Sequence, residues 1–141
     1  MDQSTRMTQA NEDYLEAVFE LAGGIDNPVR SVDLANKLDV SKASVNKAIS
    51  VLKSHEYVSQ EPYGDIFLTQ KGYEYGKSVF KRHLVLYHFL MDVLGVEGET
   101  AENEACMMEH AISDDTLGRW INYLEKNNPE VAEAAKIRGA E

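Results

Sequence analysis

The 141-residue sequence predicts a mainly α protein with a small β-wing. Three observations carry that expectation. Two short segments of helical apolar spacing, joined by a tight turn, lie between Ser31 and His55. A strand–turn–strand stretch follows directly, Y-V-S-Q-E (57–61), P-Y-G-D (62–65) and I-F-L-T (66–69). Beyond it a long segment turns from charged to apolar almost all round by Leu94. Such an order fits a winged helix-turn-helix joined to a helical domain. We expect the first to occupy residues 1–75 and the second residues 76–141.

The elements follow from local rules. From Gln9 to Ala22, Tyr14, Leu15, Val18, Leu21 and Ala22 recur at helical spacing, and Gly23-Gly24 stops the helix. Ser31 reads as the cap of a short helix ending near Asp39, and Ser41 as the cap of another running to about His55. In that second helix Val45, Ala48, Ile49 and Leu52 form an apolar back, opposite Ala43, Asn46, Lys47 and Ser50. Thr69 reads as the cap of a helix from about Gln70 to Leu94. From Leu84 to Leu94 it is apolar almost all round and needs cover on more than one face, and a second copy of the chain is the expected cover. G-V-E-G-E (95–99) breaks the chain. A fifth helix is expected over roughly Thr100–Ile112, and Ser113 caps a sixth that ends at Asn127-Asn128-Pro129. The last twelve residues, from Glu130, read as one more short helix or a frayed end.

Charge is distributed unevenly. The formal net charge is −10. Residues 1–27 carry one basic and six acidic side chains, residues 28–82 nine and six, and residues 83–141 four and twelve. A basic island between acidic flanks is a reason to look for a DNA-binding module in the middle and a cation site elsewhere, although charge alone favours a solvated acidic surface. A single cysteine offers no intrachain disulfide, which fits a reducing cytoplasm. The first residues lack the apolar core of a signal peptide, and no apolar run reaches the roughly 20 residues of a membrane span.

The stretch E-A-C-M-M-E-H-A-I-S-D-D (104–115) holds the chemistry. On an unbroken helix Glu102, Cys106, Glu109, His110 and Ser113 share one stripe, while Ala101, Ala105, Met108 and Ile112 face a core. Thiol, carboxylate and imidazole together suit a divalent transition metal. Asp13, Glu16 and Glu20 share a face of the first helix, where like charges repel unless a cation intervenes. His83 stands where the long helix turns apolar.

E-D-Y-L-E (12–16), K-R-H (81–83) and E-A-C-M-M-E-H-A-I-S-D-D resemble the metal-dependent repressors of the diphtheria toxin repressor and manganese transport regulator family. The resemblance covers roughly residues 8–127, without the SH3-like third domain of the longer members. It implies an N-terminal winged helix-turn-helix followed by a helical dimerisation and metal-binding domain. It further implies a cytoplasmic homodimer that binds a palindromic DNA operator when activated by Fe(II) or Mn(II). Zn(II), Co(II) and Ni(II) are possible substitutes. The implied ligands are Asp13, Glu16, His83, Cys106, Glu109 and His110, with Glu102 as a further carboxylate. Cys106 matches the iron-type members, whereas Asp13 and Glu16 match the manganese type. Tyr87 stands where some members have an ancillary carboxylate.

On the DNA side the resemblance assigns base contacts to Ser41, Ala43 and Lys47 and a phosphate contact to Ser44, with Ala43 in place of a family proline. The outward face adds Asn46 and Ser50. Lys42, Lys53 and the wing-tip Tyr63 complete the candidate surface. No enzyme motif and no site for an organic substrate stand out. Three rival readings are a winged-helix regulator sensing an organic ligand or an oxidant through Cys106, a small zinc enzyme, and a protein-binding winged helix.

Overall fold

The structure, a computed structural model, describes residues 6–137. It forms two compact units, Met7–Ser78 and, from Val79 onward together with Arg6, a second one. No helix among the described residues is long and apolar enough to cross a membrane.

In the first unit α1 (Gln9–Ala22) opens where Thr8 accepts a hydrogen bond from the Asn11 N–H and closes at Gly23, whose φ of 68° is left-handed. Following it, α2 (Ser31–Leu38) has Arg30, not Ser31, at its cap position, and Arg30 makes no side-chain cap bond. The expected serine cap is therefore wrong. Arg30 instead pairs with Asp33 at 3.0 Å, an exposed ion pair across the helix start, and Ser31 lies inside the first turn. Asp39 ends α2 in a left-handed conformation that a short polar side chain tolerates. Ser41 caps α3 (Lys42–Ser54) by accepting from the Ser44 N–H, and Val45, Ala48, Ile49 and Leu52 are buried as expected.

The wing is an antiparallel pair, β1 (Val58–Gln60) and β2 (Ile66–Leu68), in register Val58↔Leu68, Ser59↔Phe67 and Gln60↔Ile66. Val29 adds a bridge to Ile66 on the other side. Leu15, Val18, Leu34, Val45, Leu52 and Ile66 are fully buried and form the apolar interior of this unit. α4 (Gln70–His88) starts where the Thr69 hydroxyl accepts from the Gly72 N–H at 3.0 Å. A Cβ on Gly72 would lie 1.8 Å from the Tyr57 carbonyl oxygen, so this close approach admits glycine only.

In the second unit α4 does not run on as α-helix to Leu94. It ends at His88 and continues as one π-helical turn, Phe89–Val93, closed by the Leu94 N–H on the Phe89 carbonyl. The inserted residue serves two cores at once. Phe89 meets Trp120 edge-on at 5.1 Å, while Leu90 stays with Leu86, Ala101 and Ala105. Val85 joins a second cluster with Leu117, Leu124, Val131 and Ala135. Two faces of the apolar segment are thus covered from within the chain, while Leu94, Met107 and Tyr123 remain more than half exposed.

α5 spans Gly98–Met108, starting two residues before and ending four residues before the expected limits. Its start moves because the Glu97 carboxylate accepts from the N–H groups of Glu99 and Thr100. Its end moves because Ser113 caps α6 (Asp114–Asn127) and leaves a turn between the helices. α7 (Pro129–Ala134) follows with proline in its first turn. Of the expected C-terminal element, residues 138–141 lie outside the described residues.

Candidate metal centre and DNA-reading face

The second unit brings three donor types together. His83 comes from α4, Cys106 from α5, and Glu109 from the first residue past α5. Their ligand atoms all lie within 4.8 Å of one another. His83 Nδ1 stands 3.0 Å from Glu109 Oε2, and Nε2 of the same ring 3.0 Å from Glu102 Oε2. His110 Nε2 lies 3.3 Å from Glu109 Oε1. Glu109 is wholly buried and the His83 side chain nearly so, whereas Glu102 is more than half exposed. The rings of Phe80 and Tyr87 lie nearly parallel to the imidazole, with centroids 6.4 and 6.2 Å away, one turn before and after it on α4.

These positions correct one expectation. The stripe from Glu102 to Ser113 presupposed an unbroken helix, but α5 stops at Met108. Glu102 and Cys106 stay on the helix, Glu109 caps its end, His110 sits in the turn, and Ser113 is the cap of α6. Glu109 keeps helical backbone angles and its N–H on the Ala105 carbonyl. It therefore still projects one turn after Cys106 toward His83, and the stripe leaves the helix only from His110 on.

The electrostatics favour a cation. Burial pulls the His83 imidazole down, but the hydrogen-bonding and charge of Glu109, with Glu102 beyond it, outweigh that and hold the group above the ordinary histidine value. Nδ1 is buried and faces the buried Glu109 carboxylate at 3.0 Å. With Cys106 Sγ in the same cluster, this nitrogen and carboxylate can converge on one ion. Nitrogen, sulfur and oxygen donors together suit a divalent first-row metal, so the residues present fit such an ion. Next to His83, the fully buried Arg82 forms an ion pair with Asp114 in the first turn of α6. It ties α6 to α4 beside the centre.

Asp13 and Glu16 belong to the first unit, on one face of α1, Glu16 buried and Asp13 half-buried. Glu20, on the same face, lies 3.9 Å from Lys37. On the reading face Ser41, Lys42, Ala43, Ser44, Asn46, Lys47, Ser50 and Lys53 are all exposed. Several carry structural duties as well. Ser41 holds the Ser44 N–H, Ser50 donates to the Asn46 carbonyl, and Lys53 donates to the Gln60 carbonyl at the turn end of β1. Tyr63 stands fully exposed at the wing tip with φ 59°, a conformation that a bulky side chain rarely adopts.

Two family profiles match adjoining parts of the chain. Residues 6–66 match the iron dependent repressor N-terminal DNA-binding domain, and residues 69–132 the iron dependent repressor metal binding and dimerisation domain. The chain belongs to the iron-dependent repressor family. An HTH-type transcriptional regulator of Methanocaldococcus jannaschii is 36% identical over 89% of this repressor and 100% of its own length. The HTH-type transcriptional regulator MntR of Listeria welshimeri is 32% identical over 92% of this chain and 91% of its own. A solved manganese-dependent transcriptional repressor in complex with manganese superposes with a TM-score of 0.72 at 27% identity, covering 82% of this repressor and 52% of that chain. The repressor thus spans about half the length of that structural relative. The DNA-binding and metal-binding domains of the family are both present, and the rival reading of an organic-ligand or oxidant sensor gains no support from these relatives.

Sequence reasoning missed Arg82 as a buried anchor of this repressor. The signal available was an arginine inside K-R-H at the start of an apolar run. It also missed Tyr75, whose buried hydroxyl donates to the Glu12 carboxylate and accepts from the Met7 N–H. That pair fixes the entry to α1.

Proposed function

We propose that this repressor binds double-stranded operator DNA as a homodimer when Mn(II) or Fe(II) is held by Asp13, Glu16, His83, Cys106, Glu109 and His110, with Glu102 as a further carboxylate. The observation that carries the reading is the approach of His83, Cys106 and Glu109 ligand atoms to within 4.8 Å. A bound divalent cation supplies the positive charge that neighbouring carboxylates need in order to share one site. Zn(II), Co(II) and Ni(II) are expected substitutes, since imidazole and thiolate accept them as well.

The residues divide the work. Glu109, buried, gives a hard oxygen ligand, and His83, flanked by Phe80 and Tyr87, gives a nitrogen held in place by packing. Cys106 gives the soft donor that separates this set from an all-oxygen, nitrogen one. Asp13 and Glu16 enlist α1 of the DNA-binding unit. Because the ligand set draws on α1 as well as on α4 and α5, metal and DNA favour one conformer, and linkage makes their effects reciprocal. A coupling of roughly 1–3 kcal/mol corresponds to about 5–150-fold in operator affinity. In a homodimer the two α3 helices would read a palindrome with half-sites about one helical turn, roughly 34 Å, apart. Lys42 and Lys47 face phosphate or guanine there, while Tyr63 on the wing meets the backbone.

Anaerobic equilibrium dialysis with Mn(II) tests the ligand set. Glu109→Gln keeps the shape of the side chain and removes its charge, so Mn(II) affinity should fall at least roughly tenfold with the circular dichroism spectrum unchanged. Equal affinity in the variant and the parent protein contradicts the assignment.

A further inference from the structure

Glu109 is the last residue that α5 holds, and His110 follows it in the turn that leads to α6. α5 ends at Met108, α6 begins at Asp114, and the turn between them keeps few backbone bonds of its own. Those present include the Glu109 N–H on the Ala105 carbonyl and the Ala111 N–H on the Met108 carbonyl. Carbonyls that lie past the end of a helix have no ladder partner and take donors from elsewhere. Here the donor comes from the other end of the chain. Arg6 Nη1 donates to the Ile112 carbonyl at 2.8 Å, and Nη2 reaches the Glu109 carbonyl at 3.4 Å. One guanidinium therefore spans the turn from Glu109 to Ile112, and its positive charge suits the negative end of α5.

We infer that Arg6 is a positioning residue of the metal centre, fixing the backbone from which Glu109 and His110 project. The inference rests on the metal reading above. Both bonds lie within the second unit. The next residue, Met7, is held in the first unit, where its N–H donates to the Tyr75 hydroxyl at 2.8 Å. Two consecutive residues are thus anchored one in each unit, and the chain reaches α1, with Asp13 and Glu16, two residues later. The guanidinium fork is what the role requires. Its planar donors reach two carbonyls at once, whereas a lysine ammonium is a point charge on a flexible stem.

Positioning and mere charge give opposite signs, which makes the test decisive. A cation close to the centre repels a metal ion, so an Arg6 that acts only through charge weakens metal binding. In that case Arg6→Ala would tighten Mn(II), and Arg6→Lys would match the parent protein. A positioning Arg6 strengthens binding, so Arg6→Ala and Arg6→Lys should both weaken Mn(II), the alanine on the order of tenfold, the lower end of what outer partners of a ligand contribute. Amide hydrogen exchange in the metal-free protein supplies a readout independent of metal. Residues 109–113 should exchange faster in both variants, while buried amides of α3, such as Ile49 and Leu52, stay protected.

Unchanged exchange at 109–113, or Mn(II) affinity unchanged or tightened in Arg6→Ala, overturns the inference. Should the parent protein itself fail to bind Mn(II) or Fe(II), the metal reading falls first, and that outcome is distinct from a variant matching a responsive parent.

Discussion

In the proposed ligand set a single side chain sets what kind of ion is preferred. Cys106 is the one soft donor among carboxylates and imidazoles, and exchanging sulfur for oxygen moves a site toward harder ions. Cys106→Glu should therefore raise the Mn(II) response relative to Fe(II) and Zn(II) in anaerobic operator-binding titrations. An unchanged ranking of the three ions would remove Cys106 from the ligand set. Tyr63 poses the same kind of question for the wing. Its left-handed backbone stores strain of roughly 1–2 kcal/mol that asparagine largely avoids. Tyr63→Asn should keep or raise the melting temperature while lowering operator affinity, and unaltered affinity would leave the tyrosine without a DNA role. The donor types of the centre were legible because each carries its chemistry in its name, at a spacing that recurs as a motif. Arg6 was not legible. A lone arginine in an acidic N-terminal stretch has no period, and its partners are main-chain carbonyls about a hundred residues away.

Elements were readable where one local rule spoke and misread where two competed. α3 and the wing follow from an apolar back, a serine cap and a hairpin turn, and they stand where expected. At α2 an arginine–aspartate pair took the place assigned to a serine cap. At the end of α4 two separate cores pull on adjacent residues, and the helix answers with a π turn that periodicity cannot announce. At α5 helical spacing ran on to Ile112, but the helix closes at Met108 and a turn leads to the Ser113 cap of α6. The start of α5 offers a test. Glu97 accepts main-chain bonds from Glu99 and Thr100, which hold its carboxyl below the usual range. A depressed carboxylate stabilises the fold above its ordinary value, and that contribution disappears as the pH falls through the lowered one. Thermal melts of Glu97→Gln should lie below those of the parent at neutral pH and converge with them in acid. A gap that persists at low pH would show that charge at this cap is irrelevant.

For the whole molecule the order of domains was written in the chain. A basic helix-turn-helix and wing precede an acidic helical domain, and family profiles match both. Cover for the apolar end of α4 was only half legible. Spacing announces that it must be buried, but cannot divide the burial between α5, α6 and α7 of the same chain and a second copy. Leu94, Met107 and Tyr123, exposed in a single chain of a family with a dimerisation domain, are where a second copy would add cover. The central claim is that a cation at His83, Cys106, Glu109 and the carboxylates of α1 governs DNA binding. Anaerobic operator binding, measured by fluorescence anisotropy in chelator and then with Mn(II) or Fe(II) added in excess, tests it most directly. Sequence-specific binding should be lost in chelator and restored by either ion. A tight, sequence-specific complex that persists in excess chelator would contradict it.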